Sequence, residues 1–369
     1  MPRAGTSPTA SPPTAGPRPP GEFFLVTCQG GAEEALCRRQ REVLPGWTRG
    51  AWRRGLVTFR LPAGPAPPDD FFPDLIFARA AVRSLGQVKA DTVPELVAAT
   101  IASSGATGWD AVHVWARDPQ AAIDTAAIRR AVLHACGLSP DAPAIATPGD
   151  LVLDCVIDAA DRWWVGRHRV GSPPSRWPGG LYPATLPADK VSRAWLKLDE
   201  AIATFDIPFA TAGRACELGA APGGSCQRLL EAGLDVVGID PALIDDRVAA
   251  HPRFTHWRKR SRDVKLRDFR GFDWIVADMN IDPVSTLEAI GRVVTAPGVR
   301  PRGIVATLKL PAWSRAEALP EWLATFRQWG YAPQVRQLST GGREVCVFAM
   351  RAGRDRPISR RPARRRPGR

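Results

Sequence analysis

Lysine is scarce in this chain of 369 residues, although basic residues are abundant. Only six of the 50 basic residues are lysine, at positions 89, 190, 197, 259, 265 and 309. Arginine keeps its proton in proteins whereas lysine can lose it, so arginine cannot replace a lysine that transfers protons. Each of the six lysines is therefore a candidate for proton transfer. The alternative is that lysine occupies the position by chance.

Paired cysteines and long apolar runs are also absent. The seven cysteines are odd in number and include no C-x-x-C pair, which argues against a disulfide framework and a cysteine zinc site. We therefore expect no bound metal and a reducing, cytoplasmic setting. There is no run of about 18 apolar residues and no apolar core near the N-terminus, so we expect neither a membrane span nor a secretory signal.

Positive charge, in contrast, is plentiful. The formal net charge is +13 and the isoelectric point is about 10.2. Such an excess favours a polyanionic partner, and nucleic acid is the leading candidate. The alternative is a genomic bias that inflates the arginine count without any functional reason.

Composition divides the chain into segments. Residues 1–20 contain seven prolines, and residues 352–369 are rich in arginine, so both ends are expected to be disordered. The predicted units between them are an N-terminal α/β subdomain (21–65), an α+β domain (66–165), a linker rich in Pro and Gly (166–189) and an α/β domain (190–351). Strands and helices alternate in the last unit, which is typical of a doubly wound parallel sheet.

A glycine-rich turn follows a short apolar strand in the last unit. It runs from Gly219 to Gly224 and leads into a predicted helix that begins near Ser225. The spacing is not G-x-G-x-x-G, which disfavours a dinucleotide, and no Lys-Ser/Thr pair follows, which excludes a P-loop. Glu217, just before the turn, suits a ligand with an ammonium group and no phosphate, such as S-adenosylmethionine. The alternative is an ordinary strand-to-helix turn.

Three charged residues follow other apolar strands of this unit. Asp240, Asp278 and Lys309 each come directly after a short apolar run. Open α/β sheets bind their ligands at the carboxyl edge of the strands, and an acid in the place of Asp240 typically binds ribose hydroxyls. For the two aspartates the alternative is the capping of a turn or helix. Lys309 is harder to explain by structure alone, because it is a rare lysine that closes a buried strand.

Two further residues complete the set of candidates. Lys197 lies in a predicted helix that begins at Ser192, and the alternative role for it is pairing with Glu200 on the same helix. Glu344 opens the second strand of a predicted hairpin, and the alternative there is a solvated surface acid.

Five motifs in order over about 160 residues resemble the heat-shock-type ribose 2′-O-methyltransferases. They are Ser-Arg-x-x-Leu-Lys-Leu-x-Glu from Ser192, the Pro-Gly-Gly turn, Asp-Met at 278, Leu-Lys-Leu-Pro around 309 and Arg-Glu-Val from 343. That family uses a Lys-Asp-Lys-Glu tetrad. The resemblance implies a tetrad of Lys197, Asp278, Lys309 and Glu344, with Lys309 as the proton acceptor.

A closer resemblance is to the ribosomal large subunit methyltransferase M family, and it covers most of residues 22–350. The residues that carry it are Leu186–Asp189, Thr307–Pro311, Arg336–Leu338 and Leu75–Arg79. It implies a C-terminal Rossmann-like class I methyltransferase, with a mostly parallel doubly wound sheet and a final antiparallel hairpin strand. It also implies an α+β RNA-binding region of the THUMP type before that domain. The implied substrate is a cytidine ribose in the peptidyl transferase region of 23S rRNA.

The resemblance further implies that S-adenosylmethionine is the cofactor. The residues expected to hold it are Ser192, Glu217, Gly219, Ala221, Pro222, Gly223, Gly224, Asp240, Asp263 and Asp278. The chain departs from the family in having Ser225 where a tryptophan follows the Pro-Gly-Gly turn. Asp263 takes the place of the acid that follows the third strand of the fold.

Other functions stay open at this stage. The same tetrad could serve another RNA, such as tRNA or an mRNA cap, and a silent RNA-binding or ribosome-assembly factor could retain the fold. A nicotinamide-dependent dehydrogenase is disfavoured by the glycine spacing. We expect a monomer.

Overall fold

The computed structural model describes residues 22–105, 108–210 and 213–353. The proline-rich segment 1–20 and residues 354–369 of the arginine-rich segment lie outside these ranges, so the disorder expected there stays a prediction. The described residues form two sheets of seven strands each. No helix in this part of the chain has the length and apolarity needed to cross a membrane.

The N-terminal unit is built on the first sheet. Its elements are β1 (Phe23–Thr27), α1 (Glu33–Val43), β2 (Thr48–Arg53), β3 (Leu56–Arg60), β4 (Ala81–Lys89), α2 (Val93–Ser104), β5 (Ala111–Ala116), α3 (Thr125–Ala135), β6 (Leu151–Ala159) and β7 (Arg162–Arg169). The strand order is β2-β3-β1-β4-β7-β6-β5, and β5 and β6 are the parallel pair. Helix α2 begins at a capping box, in which Thr92 and Glu95 satisfy each other's backbone amides.

The first sheet runs across the boundary that the sequence predicts at residues 65–66. Strand β1 pairs with β4, where Leu25 lies opposite Val82, so both predicted units share one sheet. The predicted linker 166–189 also differs, because its first residues belong to β7. The sequence pattern does not predict β4, because a bulge at Gly86 interrupts its alternation, or β7, because arginines stand among its apolar residues.

The C-terminal unit is built on the second sheet. Its elements are α4 (Arg193–Phe205), β8 (Arg214–Leu218), α5 (Gly224–Glu231), β9 (Asp235–Ile239), α6 (Asp246–Ala249), β10 (Phe254–Trp257), β11 (Trp274–Ala277), α7 (Pro283–Val294), β12 (Gly303–Lys309), α8 (Leu319–Gln328), β13 (Tyr331–Arg336) and β14 (Glu344–Arg351). The strand order is β10-β9-β8-β11-β12-β14-β13. Only β14 of these strands runs against its neighbours, which confirms the predicted sheet with its final antiparallel hairpin.

The two units pack through the hairpin β13–β14 and the segment after β12. The backbone amide of Gln337 donates to the carbonyl of Ile76 at 2.9 Å, and the buried guanidinium of Arg336 donates to the carbonyl of Ala78 at 2.8 Å. Phe77 contacts Trp313 edge to face, with ring centroids 6.0 Å apart. The N-terminal unit therefore lies against the part of the C-terminal unit that leads directly from Lys309.

Candidate active site

The carboxyl ends of the parallel strands meet at one edge of the second sheet. Leu218, Ile239 and Ala277 lie in register at the ends of β8, β9 and β11, so the residues that follow them emerge side by side. Strand β12 extends further, to Lys309. Because β14 is antiparallel, its first residue, Glu344, lies at the same edge and directly opposite Lys309.

Lys197, Asp278, Lys309 and Glu344 form a closed ring of alternating charge. Lys309 Nζ donates to Glu344 Oε2 at 2.6 Å and to Asp278 Oδ1 at 3.2 Å. Lys197 Nζ contacts the other oxygens of the same acids, Asp278 Oδ2 and Glu344 Oε1, the latter at 3.2 Å. Each carboxylate therefore bridges both ammonium groups, although the four residues lie far apart in the sequence.

The ring is largely shielded from water, which strengthens its charge interactions. Burial disfavours the ammonium of Lys309, but Asp278 and Glu344 outweigh it and raise the pKa of Lys309 above its usual value. Burial likewise opposes the ionised form of Asp278, yet Lys197 and Lys309 hold the pKa of that carboxyl below its usual value. The free protein therefore keeps Lys309 protonated at neutral pH, a direction that sequence alone left open.

Helix α4 brings Lys197 to the ring. Ser192 caps the helix, because its Oγ accepts from the backbone amide of Ala194. Pairing of Lys197 with Glu200, the alternative weighed from sequence, is wrong. Glu200 instead accepts from the backbone amides of Ser339 and Thr340, at 2.7 Å each, and so holds the turn of the β13–β14 hairpin.

The glycine turn lies beside this ring, and its glycines are required by close packing. Gly219 has a φ of +80°, and a methyl group on it would lie 2.5 Å from Cγ of Met279, next to Asp278. A methyl group on Gly224 would lie 2.2 Å from Oγ of Ser192. The turn between them includes Ala221, Pro222 and Gly223 and carries no basic side chain. Larger residues at Gly219 or Gly224 would thus displace the turn.

Asp240 lies at the end of β9 and is tied to the turn. Its Oδ2 accepts from the backbone amide of Ala221 at 3.2 Å, and its Oδ1 accepts from that of Ala242 at 2.8 Å. The carboxylate remains half-buried at the edge of the sheet, where its free lone pairs can bind hydroxyl groups.

Two predicted residues lie apart from this cluster. Glu217 is 1% exposed, and its Oε2 accepts from Sγ of Cys226 at 2.8 Å, so it lies behind the turn. Burial raises the pKa of Glu217 to about 8, which leaves a largely neutral carboxyl near pH 7. Asp263 lies in a short helical turn after β10, and its side chain is 57% exposed beside Arg262. The structure does not bring either carboxylate to the ring.

Two glutamines outside the predicted site hold the hairpin in place. Gln337 Nε2 donates to Gln29 Oε1 at 2.6 Å and to the carbonyl of Gly342 at 3.2 Å. Gly342 lies two residues before Glu344, so this side chain connects the N-terminal unit to the ring. Gln337 belongs to the Arg336–Leu338 segment that carries the family resemblance, but no chemical role follows from its sequence, and its bond to Gln29 depends on the contact of the two units.

The donor set fits S-adenosylmethionine. Acidic side chains and a turn without basic residues suit a ligand that carries hydroxyls and positive charge and no phosphate. Residues 190–313 match the family model described as FtsJ-like methyltransferase. Together with the strand order, the fold and the site define an S-adenosylmethionine-dependent methyltransferase of the FtsJ-like class.

Curated relatives narrow this class. The chain is 30% identical over 366 residues to "Ribosomal RNA large subunit methyltransferase M" of Halorhodospira halophila, a match that spans 90% of this chain and 98% of the relative. A protein of the same name from Laribacter hongkongensis is 32% identical over 190 residues, which cover 47% of this chain and 52% of that protein. The chain belongs to the ribosomal RNA large subunit methyltransferase M family.

Proposed function

We propose that this protein transfers a methyl group to a ribose 2′-hydroxyl of large-subunit ribosomal RNA, and that Lys309 accepts the hydroxyl proton. In its most specific form the proposal names a cytidine in the peptidyl transferase region of 23S rRNA. The observation that carries it is the ring of two ammonium and two carboxylate groups beside the glycine turn. Turn and ring come from one chain, so the site is complete in a monomer.

The glycine turn, Ser192, Asp240 and Asp278 would hold S-adenosylmethionine. Asp240 is placed to accept hydrogen bonds from ribose hydroxyls, and the turn allows close approach of a ligand to the backbone. When bound, the cofactor supplies an electrophilic methyl group. The buried Glu217 supports the turn from behind, and the side chain of Asp263 is exposed beside Arg262.

Lys309 would act as general base once its own ammonium has lost a proton. A positioned base of this kind typically contributes roughly 10²–10⁴-fold to the rate. Lys197 shares both carboxylates with Lys309 and so weakens their pull on its proton. Asp278 and Glu344 would orient the two amines, and the cross-strand pairing of Lys309 with Glu344 keeps the base next to one of these carboxylates.

The RNA would reach this site over the N-terminal unit. Arg53 and Arg54 are exposed at the turn between β2 and β3 and form no ion pair among the described residues, and the neighbouring Trp52 is 43% exposed. A methyl group added to Gly30 would lie 2.9 Å from Nε of Arg54. A methyl group added to Gly31 would lie 3.0 Å from Nε1 of Trp313. Arg54 thus lies near the segment that follows Lys309, where it can bind phosphate.

The alternatives predict different outcomes in cells and in vitro. Ribose methylation would be mapped in cellular RNA with and without the gene, and loss of one mark in 23S rRNA is expected. A lost mark in tRNA or an mRNA cap would identify the other substrates. If no mark is lost and single-turnover assays with labelled cofactor show no transfer, the protein is a silent RNA-binding factor.

A further inference from the structure

Three polar residues are buried together inside the N-terminal unit, away from the ring. His113, Asp154 and His168 lie on the neighbouring strands β5, β6 and β7 and are 1%, 1% and 6% exposed. His113 is the register partner of Asp154, and His168 pairs with Val152, two residues before Asp154. All three side chains therefore point to the same face of the sheet.

The three side chains lie close enough together to share one ion. One ligand atom from each residue lies within 4.8 Å of the others. His168 Nδ1 is 2.6 Å from Asp154 Oδ2, and His113 Nδ1 is 3.7 Å from Asp154 Oδ1. Two ligands that share a zinc ion at about 2.0–2.2 Å in a tetrahedral arrangement lie roughly 3.4 Å apart, close to the second distance. The first distance is that of a hydrogen bond, which metal binding would open.

The tautomer of His168 suits a ligand role. Its Nε2 lies 2.8 Å from the carbonyl oxygen of Ser175, which can only accept, so Nε2 carries a hydrogen. Nδ1 lies at hydrogen-bond distance from Oδ2 of Asp154, so a proton lies between them in the metal-free protein and a bound metal ion would replace that proton. A backbone carbonyl that fixes the outer nitrogen is the usual second partner of a metal-binding histidine.

His113 and Asp154 also have polar atoms that the protein leaves unpaired. Both ring nitrogens of His113 and Oδ1 of Asp154 are buried and form no hydrogen bond. Buried polar atoms in native proteins are almost always paired, and exceptions of this kind point to an ion or a water molecule. Oδ1 of Asp154 and Nδ1 of His113 face each other, so one cation would satisfy both.

We propose that His113, Asp154 and His168 bind one divalent transition-metal ion, with zinc as the leading candidate. Two imidazole nitrogens and one carboxylate oxygen suit Zn²⁺ or Co²⁺, whereas Mg²⁺ and Ca²⁺ prefer oxygen ligands. The proposal does not depend on methyl transfer, because none of these residues belongs to the ring or to the glycine turn.

The ion would stabilise the connection between the two units. Ser175 lies in the segment Ser172–Gly180, which covers the cluster and leads toward α4. Further along, Tyr182 donates from its backbone to Oγ of Ser339 at 2.8 Å and from its hydroxyl to Asp199 on α4 at 2.6 Å. Metal at the cluster would thus fix the start of the segment that places Lys197.

The test uses the untagged full chain. Metal content would be measured by mass spectrometry after expression with zinc, and Zn²⁺ alone would be titrated calorimetrically into protein stripped with a chelator. We expect one zinc per chain, with at least tenfold weaker binding in His113→Gln and Asp154→Asn. His134→Gln, on the exposed face of α3, is the matched control and should bind like the unaltered chain.

Substitution of Co²⁺ needs no variant, so it covers the case in which a buried substitution prevents folding. Visible absorption of a low-symmetry, nitrogen-ligated Co²⁺ site at one equivalent would support the proposal. Absence of stoichiometric binding by the unaltered chain would overturn it and leave a bound water as the partner of the unpaired atoms. Unchanged zinc affinity in folded His113→Gln and Asp154→Asn would overturn it as well.

Discussion

Lys309 and Glu344 lie directly opposite each other across the antiparallel strands β12 and β14, and Nζ of the lysine is 2.6 Å from Oε2 of the glutamate. The strands place the two side chains next to each other at the edge of the sheet, and hydrogen bonds to Glu344 and Asp278 hold the amine of Lys309 there. The pair therefore defines a fixed point at which a substrate hydroxyl would have to arrive.

Replacement of Lys309 with arginine should abolish methyl transfer and leave the protein folded. Arginine keeps the charge that Asp278 and Glu344 require but cannot accept a proton. We expect a loss of at least about 10²-fold in the single-turnover rate, with cofactor affinity within about twofold of the unaltered chain. Lys259→Arg, at a lysine outside the ring, is the control, and full activity in Lys309→Arg would refute the assignment of the base.

The rate of methyl transfer should rise with pH. The pKa of Lys309 is raised, so the neutral amine is a minor species at neutral pH and grows about tenfold per pH unit until the pKa is reached. In Glu344→Gln one of the two acids that raise this pKa is lost, so the rise should occur at lower pH. Single-turnover rates over a range of pH measure both effects, and a flat profile would contradict them.

Asp240→Ala should weaken the binding of S-adenosylmethionine by about tenfold or more, because it removes a charged hydrogen-bond acceptor. Its Oδ2 also accepts from the backbone of Ala221, so part of the loss would come from a looser turn. Calorimetric titration of the cofactor measures the change. Asp235→Ala, at the exposed far end of the same strand, should bind normally. Equal affinities for both variants would exclude Asp240 from the cofactor site.

Joint replacement of Arg53 and Arg54 with alanine should weaken RNA binding. Removal of one phosphate-binding arginine makes the slope of log affinity against log salt shallower by about one. The slope of the double variant should therefore be shallower by about two. Arg130→Ala removes an exposed arginine on α3 and should leave the slope nearly unchanged. Cofactor affinity should stay the same in all these variants. An unaltered slope in the double variant would place the RNA elsewhere.

Glu217→Gln should stabilise the protein at alkaline pH. Burial raises the pKa of Glu217 from 4.5 to about 8, so the folded state holds a proton that the unfolded state releases between these values. The free energy of unfolding therefore falls as pH rises through this window and levels off above it. Glu217→Gln has no such proton to release. Its free energy of unfolding, relative to that of the unaltered chain, should therefore increase by roughly 3–5 kcal/mol between about pH 5 and pH 9. Denaturant unfolding measures the difference, and the exposed Glu321→Gln should show none.

The family resemblance implied the four ring residues, and each of them stands at a landmark in the sequence. Asp278 and Lys309 end apolar strands, Glu344 begins one, and Lys197 follows a helix cap. The alternation of strands and helices predicted the parallel sheet, and the hairpin after it predicted the antiparallel final strand; the structure confirms both. Strand order and register bring these landmarks together, and both depend on pairings between residues remote in sequence.

Other features could not be obtained from sequence. The direction of the pKa shift of Lys309 is a balance of burial against two carboxylates, and it depends on distances that only the fold sets. Glu217 is acidic and precedes the glycine turn, yet the packing of Cys226 and Ser225 turns it inward. The single sheet of the N-terminal unit was hidden because β4 and β7 break the alternation that marks a strand.

Arg336 has a consequence for how this chain can be divided. Its guanidinium is buried against Phe72 and hydrogen-bonded to carbonyls that the N-terminal unit provides, and burial lowers its pKa to about 10. Cut away from residues 22–170, the catalytic half would expose an apolar face and leave this cation without acceptors. The methyltransferase half therefore does not form an independent domain. Gene fusions or truncations that separate the two halves would destabilise the hairpin that positions Glu344.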